Sequence, residues 1–406
     1  MSGAHVIHSA RLVDGGTVVE DGWVRFQGER IVARGTGRTW VAEAGDDRSE
    51  GAGDAGGLRA TDAAGDAHGL RTTDAAGAWL TPGFVDIHVH GGGGAAFDDG
   101  AEAIARGLAL HRRHGTTRSV ISLVTATVAS LAQRVREVAA LAAADPRILG
   151  SHLEGPFLDA GHKGAHDPAL LRPPTAADVD LLLEAAGGTL RQVTLAPELP
   201  GGMDAIRALS AAGVAVAVGH TAADYDQALA AFDAGASILT HAFNAMPGLH
   251  HRAPGPVAAA TRTPGVTLEI VNDGVHVHPE VVRMAFAAAP GRVAMITDAM
   301  AAAGSADGDY RLGGLDVEVR DGVARLAAGG SIAGSTLTLD DALRRAVLEV
   351  GVPVAEAVRA VTSTPAAAVG RGGDLGRLLP GYAADAVLLD ADFAVRQVWS
   401  AGATVL

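Results

Sequence analysis

Several stretches of this chain end in residues that can bind a cation or move a proton. His88 and His90 stand two apart, followed by the glycines 91–94. Glu154 follows an apolar run from Ile148 and precedes Gly155-Pro156, where the backbone is freed and a strand ladder must stop. His220, His241 and Asp298 each close a further apolar run. Imidazole and carboxylate together are the ligand set of a zinc- or iron-type divalent site. Any one of these histidines alone reads more simply as a hydrogen-bonded core residue, and Glu154 alone as a capping or salt-bridged one. Their joint occurrence at five run ends points to a metal centre instead. The chain has no cysteine, so thiolate ligands and disulfides are excluded.

The elements that must position them are legible in the rhythm of the chain. Strand-like apolar runs cover 84–90, 118–124, 148–154, 190–197, 214–220, 237–244, 266–272 and 293–298. Ala-rich helical patterns lie between most of them, at 101–114, 128–144, 176–186, 203–212, 224–234 and 279–289. Strands apolar on both faces and separated by helices imply a parallel sheet. Eight such units predict an α/β protein built on a (β/α)8 TIM barrel, with a doubly wound open sheet as the alternative. In a barrel the chemistry collects at the C-terminal strand ends. His88 and His90, at i and i+2, face the same side there.

The two ends of the chain read differently. Residues 5–35 show short strands with turn signals at Asp14-Gly15-Gly16 and Asp21-Gly22. A hairpin is expected over 310–326 and helices over 338–369. The tail alternates again around 386–399, so it is expected to complete the N-terminal unit as a small discontinuous β-sandwich. The expected division is 1–81 and 371–406 for that domain and 82–370 for the barrel. Residues 42–77 are rich in Gly, Ala, Asp and Thr and carry a tandem repeat, 57–65 and 69–77. With no apolar face to bury, the stretch is expected to be a mobile low-complexity insertion.

Composition narrows the function classes. The net charge of −14 over 406 residues argues against nucleic acid and anionic membrane surfaces as partners. An anionic substrate would need a local cationic cluster. Hydrophobic residues make up 48% but aromatics only 4%, so the core must be built from Ala, Val, Leu and Ile. No apolar run approaches the roughly 20 residues of a membrane span. The N-terminus has no basic stretch followed by an apolar core, so no secretory signal is expected and the cytoplasm is the expected location.

Pro82-Gly83-Phe84-Val85-Asp86-Ile87-His88-Val89-His90-Gly91 resembles the first-strand motif of the metal-dependent amidohydrolase superfamily. His152-Leu153-Glu154-Gly155-Pro156-Phe157, Lys163-Gly164-Ala165-His166, Gly219-His220-Thr221, Thr240-His241-Ala242-Phe243-Asn244-Ala245-Met246 and Thr297-Asp298-Ala299 are similar to its amino-sugar phosphate deacetylase branch. The likeness spans the chain apart from 42–77.

The resemblance implies a hydrolase of amino-sugar catabolism that removes the acetyl group of N-acetyl-D-glucosamine 6-phosphate, leaving glucosamine 6-phosphate and acetate. It implies one divalent ion on Glu154, His220 and His241, zinc first, with iron, cobalt or manganese as alternatives. His88 and His90 would hold a second ion, bridged by Glu154; relatives that replace this pair use one metal. Many binuclear relatives bridge with a carboxylated lysine on the fourth strand. The single lysine here, Lys163, lies instead in the loop after Glu154, which leaves Glu154 as the bridge. Asp298 would act as general base and acid on a metal-activated water, and His166 would face the acetyl carbonyl oxygen. Asn244, the Ala245 N–H, Arg252 and His276 would bind the phosphate. One phosphate ligand would come from a neighbouring subunit, which implies a homodimer. The alternatives are an N-acetylgalactosamine 6-phosphate deacetylase, another N-acyl amidohydrolase, or a scaffold that has lost its chemistry. The retention of His88, His90, Glu154, His220, His241 and Asp298 stands against the last of these.

Overall fold

The computed structural model describes residues 4–44 and 70–406. Its centre is an eight-stranded parallel sheet: β1 (Phe84–Val89), β2 (Thr116–Val124), β3 (Ile148–Glu154), β4 (Leu190–Leu195), β5 (Ala215–Val218), β6 (Ala236–Leu239), β7 (Thr267–Val271) and β8 (Val293–Ile296). Neighbours in sequence are neighbours in the sheet. The ring closes where the chain leaves β8. The Asp298 N–H donates to the His88 carbonyl at 2.9 Å, and the His90 N–H donates to that of Ala299 at 2.8 Å. The Thr297 hydroxyl also bonds the buried Asp86 carboxylate at 2.6 Å. This is the barrel that the eight apolar runs predict. The runs over 214–220 and 237–244 overshoot, because β5 and β6 stop two residues before His220 and His241. Those histidines have φ of +47° and +26°, which a ladder cannot continue.

The six predicted helices form within a residue or so of their expected ends. Their starts follow local chemistry. The Thr127 side chain caps Val128–Ala144, while Thr175 with Asp178 and Asp224 with Gln227 make capping boxes for the helices at 176 and 225. A further helix, Gly255–Arg262, follows β6; its opening Pro254-Gly255-Pro256 reads as a loop, although proline is at home in a first turn. Leu131 and Val135, one turn apart and fully buried, seat Val128–Ala144 on the barrel. Each such side chain stabilises the fold by about 1.5–3 kcal/mol.

Both chain ends enter one further sheet. Its strands run in the order Ala403–Thr404, Val395–Ser400, Ala386–Leu389, Trp79–Pro82, Ala4–Asp14, Thr17–Gln27 and Arg30–Thr36. The hydrogen bonds form one continuous sheet that folds over on itself, as the expected sandwich requires: Phe26 and Trp399, on strands four places apart in that order, meet edge to face at 6.5 Å. Ile7, Phe26, Leu80 and Trp399 are fully buried in its core. Arg118 on β2 makes a buried two-pronged bond to Asp385, at 2.6 and 3.1 Å, joining barrel and sheet.

Two local expectations are corrected. Asp21-Gly22 is a bulge inside the continuous strand Thr17–Gln27, not a turn. Asp21 has φ +49°, and a Cβ on Gly22 would collide with Leu12. The end of the supposed insertion is ordered: Arg71–Asp74 pairs in parallel with Ala4–Asp14, and Ala75 is buried beside it. The strand's backbone is satisfied by its neighbour, which a low-complexity sequence does not reveal. Residues 45–69, which include the first repeat copy, lie outside the described residues. The 310–326 hairpin gains a strand, giving Gly308–Leu312, Leu315–Arg320 and Val323–Leu326, and it brings Leu312 to the barrel mouth. Among the described residues, no helix is long and apolar enough to cross a membrane.

Candidate metal centre and substrate pocket

Glu154 is the last residue of β3 and lies at the centre of the cluster. Its Oε1 is 3.2 Å from His220 Nε2, 3.2 Å from His241 Nε2 and 3.4 Å from His88 Nε2. Its Oε2 is 3.2 Å from His90 Nε2 and 3.4 Å from His166 Nε2. Behind it the chain turns at Gly155 (φ +87°), where a Cβ would collide with the Thr125 hydroxyl. Asp298 completes the ring. Its Oδ1 lies 3.4 Å from His90 Nε2 and 3.6 Å from His88 Nε2. His220, His241 and Asp298 all have left-handed backbone, an unfavourable conformation held by the surrounding bonds. All of these groups are buried.

The histidine tautomers show what the cluster can hold. His220 Nδ1 is 2.9 Å from the His162 carbonyl, so it carries the proton and leaves a lone pair on Nε2. His88 Nδ1 faces the Glu269 carboxylate at 3.2 Å, with the same consequence. Yet His220 Nε2 lies 2.9 Å from His241 Nε2, and His88 Nε2 lies 3.1 Å from His90 Nε2. Nitrogens this close need a proton or a cation between them, because two bare lone pairs repel. An N–H···N bond between neutral rings supplies a proton, and further protons would charge the rings. Burial disfavours this, but Glu154, Glu269 and Asp298 outweigh it at His88 and hold that ring well above the ordinary range. At His90 burial is likewise outweighed by Asp298 and Glu154, and the ring is pushed up to about 9. The Glu154 carboxyl, which burial would raise, is instead held well below its usual range by His88, His166, His220 and His241. A divalent cation answers the same demand. The nitrogen and carboxylate donors suit such an ion, and His88, His90 and Asp298, or Glu154, His166 and His220, offer ligand atoms within 4.8 Å of one another. The residues present fit a metal centre.

Asp298 is ionised at neutral pH. Burial raises its carboxyl, but the bond to His90 and the charge of His88 outweigh this and bring it to about 2. His166 is neutral, lowered to about 4 mainly by burial. The Thr125 hydroxyl donates to the Glu154 carbonyl at 3.0 Å, so its oxygen accepts His166 Nδ1–H at 2.8 Å. His166 therefore presents a bare Nε2 to the cluster. Donation from Nε2 would require Thr125 to turn its hydroxyl toward Nδ1.

A cavity of about 430 Å³ opens over the cluster. Asn244, Ala245 and His276 line it together with Asp298, and Leu312 and Ile332 add apolar wall. His276 Nδ1 bonds Asp273 at 2.7 Å; burial opposes its charge, but Asp273 outweighs it and raises the ring. Arg252 is not brought to this cavity. It is exposed, with Nη1 2.8 Å from His251 Nε2. Lys163 Nζ reaches the carbonyls of Gly164 and His166, on a different element from β4. His152 has both ring nitrogens occupied, by Ser122 and Thr194, each at 2.9 Å, and is a packed residue. His111 is equally buried, on the Gly91 carbonyl at 2.8 Å. Glu269 and Gln192 escape a sequence reading. The one available signal is a carboxylate in the middle of the apolar strand Thr267–Val271.

Comparison with known proteins matches this geometry to a family. The model of the amidohydrolase family covers residues 79–405. The chain is 42% identical over 327 residues to N-acetylgalactosamine-6-phosphate deacetylase of Escherichia coli O157:H7, covering 80% of this chain and 86% of that one. It is 37% identical over 333 residues to N-acetylglucosamine-6-phosphate deacetylase of Vibrio furnissii, covering 80% and 82%. A mutant N-acetyl-D-glucosamine-6-phosphate deacetylase from Mycobacterium smegmatis, solved in complex with N-acetyl-D-glucosamine-6-phosphate, superposes with a TM-score of 0.88 at 41% identity over the whole of both chains.

Proposed function

We propose that this chain, which belongs to the amidohydrolase family, is a hydrolase that converts N-acetyl-D-glucosamine 6-phosphate to glucosamine 6-phosphate and acetate. The observation that carries this is the buried ring of imidazoles about Glu154 with Asp298 beside it, opening into a sugar-sized cavity. The relative at 42% identity supports the N-acetylgalactosamine 6-phosphate epimer as the second reading. Acetate release from both sugars, after reconstitution with defined equivalents of zinc, iron, cobalt or manganese, separates the two. The expected result is a kcat/KM at least about 10-fold higher for the glucosamine epimer. The reverse ratio assigns the other substrate, and release from neither rejects both.

Glu154, His220 and His241 would hold one divalent ion, zinc first, and His88 and His90 a second under the same carboxylate. Such an ion supplies Lewis acidity and lowers the pKa of water bound to it to about 7. Water adds to the acetyl carbon, the C–N bond breaks, and acetate and the free amine leave. Asp298 takes the proton that water loses and delivers it to the departing nitrogen. His166 would face the carbonyl oxygen as it gains charge and, with its proton on Nε2, would donate to it. Asn244, the Ala245 N–H and a protonated His276 would receive the phosphate at the cavity wall. A phosphorylated substrate does not cross membranes unaided, which agrees with the proposed cytoplasmic setting.

The molecule is proposed to work as a homodimer, in which Arg252, exposed beside the exposed Leu249, reaches the phosphate in the neighbouring copy's cavity. Arg252→Ala should then raise KM for the phosphosugar by about 10- to 100-fold. KM for the unphosphorylated sugar should change less than about twofold, because no phosphate contact is lost. Equal effects on the two substrates would remove Arg252 from the phosphate site.

A further inference from the structure

Glu269 stands in the middle of β7, fully buried. Three donors converge on its carboxylate. His88 Nδ1–H reaches Oε2 at 3.2 Å, the Gln192 amide reaches Oε1 at 2.8 Å, and the His241 N–H reaches Oε2 at 3.4 Å. Its own carbonyl accepts the Ala242 N–H at 2.7 Å. These contacts come from β1, β4 and the segment after β6, so one residue holds elements far apart in sequence. Among the described residues, its ion-pair partner is His88. A buried carboxylate with no guanidinium or ammonium beside it is costly unless charge reaches it another way. Through His88 it can: a cation on Nε2 polarises the ring and strengthens the Nδ1–H bond to Glu269.

We propose that Glu269 is a positioning residue for the metal centre. It locks His88 in the Nδ1–H tautomer, so that the Nε2 lone pair faces the ion. With the same oxygen it steadies the strained backbone of His241. Gln192 holds the other oxygen and so fixes the plane of the carboxylate. A carboxylate behind a ligating imidazole raises ligand basicity and fixes ring orientation, and its loss typically weakens metal binding about 10- to 100-fold. The inference rests on the proposal that His88 holds a metal.

The test is Zn²⁺ and Co²⁺ affinity of the full chain, measured by chelator competition, with metal content and the Co²⁺ absorption spectrum as second readouts. Glu269→Gln keeps the shape and removes the charge. It should weaken metal binding by about 10-fold or more. In a His88→Gln background the same substitution should cost clearly less affinity, since the main group it acts through is gone and only the longer bond to the His241 N–H remains. An affinity and Co²⁺ spectrum matching the parent, or an equal loss in both backgrounds, overturns the inference. Should Glu269→Gln fail to fold, Gln192→Met decides, with an expected loss of about 3- to 10-fold and overturn if affinity is unchanged. A parent protein that takes up neither ion overturns the metal reading, and this inference with it. A parent that binds metal beside an unaltered Glu269→Gln overturns this inference alone.

Discussion

Glu154→Gln is expected to yield folded protein that retains less than about a tenth of the parent's metal at either position. The reason is the division of labour between the two carboxylate oxygens. Oε1 addresses His220, His241 and His88, while Oε2 addresses His90 and His166. An amide of the same shape keeps one weaker acceptor and turns the other side into a donor, which would face histidine nitrogens already 2.9 and 3.1 Å apart. The charge that brings two or more imidazoles and a cation together is lost from both sides at once. Metal analysis after gel filtration, with circular dichroism to verify folding, reads the outcome directly. Retention of one full equivalent, from a parent that holds two, would show that Glu154 serves a single ion.

The second large effect is expected at Asp298. Asp298→Asn should lower kcat by about 10²- to 10⁴-fold while metal content stays near the parent value. Its Oδ1 stands 3.4 and 3.6 Å from the nearest histidine nitrogens, against 3.2 Å for the closest contacts of Glu154, and it lines the cavity. Its carboxyl, brought to about 2, is ionised at neutral pH, which is the form a general base must have. An asparagine cannot take that proton. Steady-state acetate release beside metal analysis of the same preparation distinguishes the roles. Parallel loss of metal and activity would make Asp298 a ligand and leave the proton transfer to another group.

Both expectations depend on residues that are legible in the sequence alone, whereas the one for Glu269 does not. Glu154, His220, His241 and Asp298 stand at or just beyond the ends of strands, where an apolar run stops and a polar residue has a reason to appear. Glu269 is flanked by Leu268 and Ile270 inside a strand, where a carboxylate has no local explanation. Its partner His88 lies 181 residues away in sequence. Arg252 and His276 pose the opposite problem. Both are basic residues in glycine-containing loops and look equally suited to phosphate, yet the structure lines the cavity with His276 and leaves Arg252 at the surface.

What the sequence determines by itself is therefore periodic or local. Continuous apolar runs and helical spacing specify eight barrel strands and most helices, because burial on both faces of a strand or along one stripe of a helix leaves a pattern in the segment itself. Capping residues mark helix starts, and the absence of cysteine limits the ligands to nitrogen and oxygen. What tertiary structure alone decides is non-local. Ring closure between β8 and β1 sets Asp298 beside His88 and His90, and β7 brings Glu269 behind His88. The bulge at Asp21-Gly22 and the pairing of Arg71–Asp74 with Ala4–Asp14 depend on partner strands in the same way. A side chain's neighbours along the chain follow from its own segment. Its neighbours across the barrel depend on the register of every strand between them, which no single segment carries.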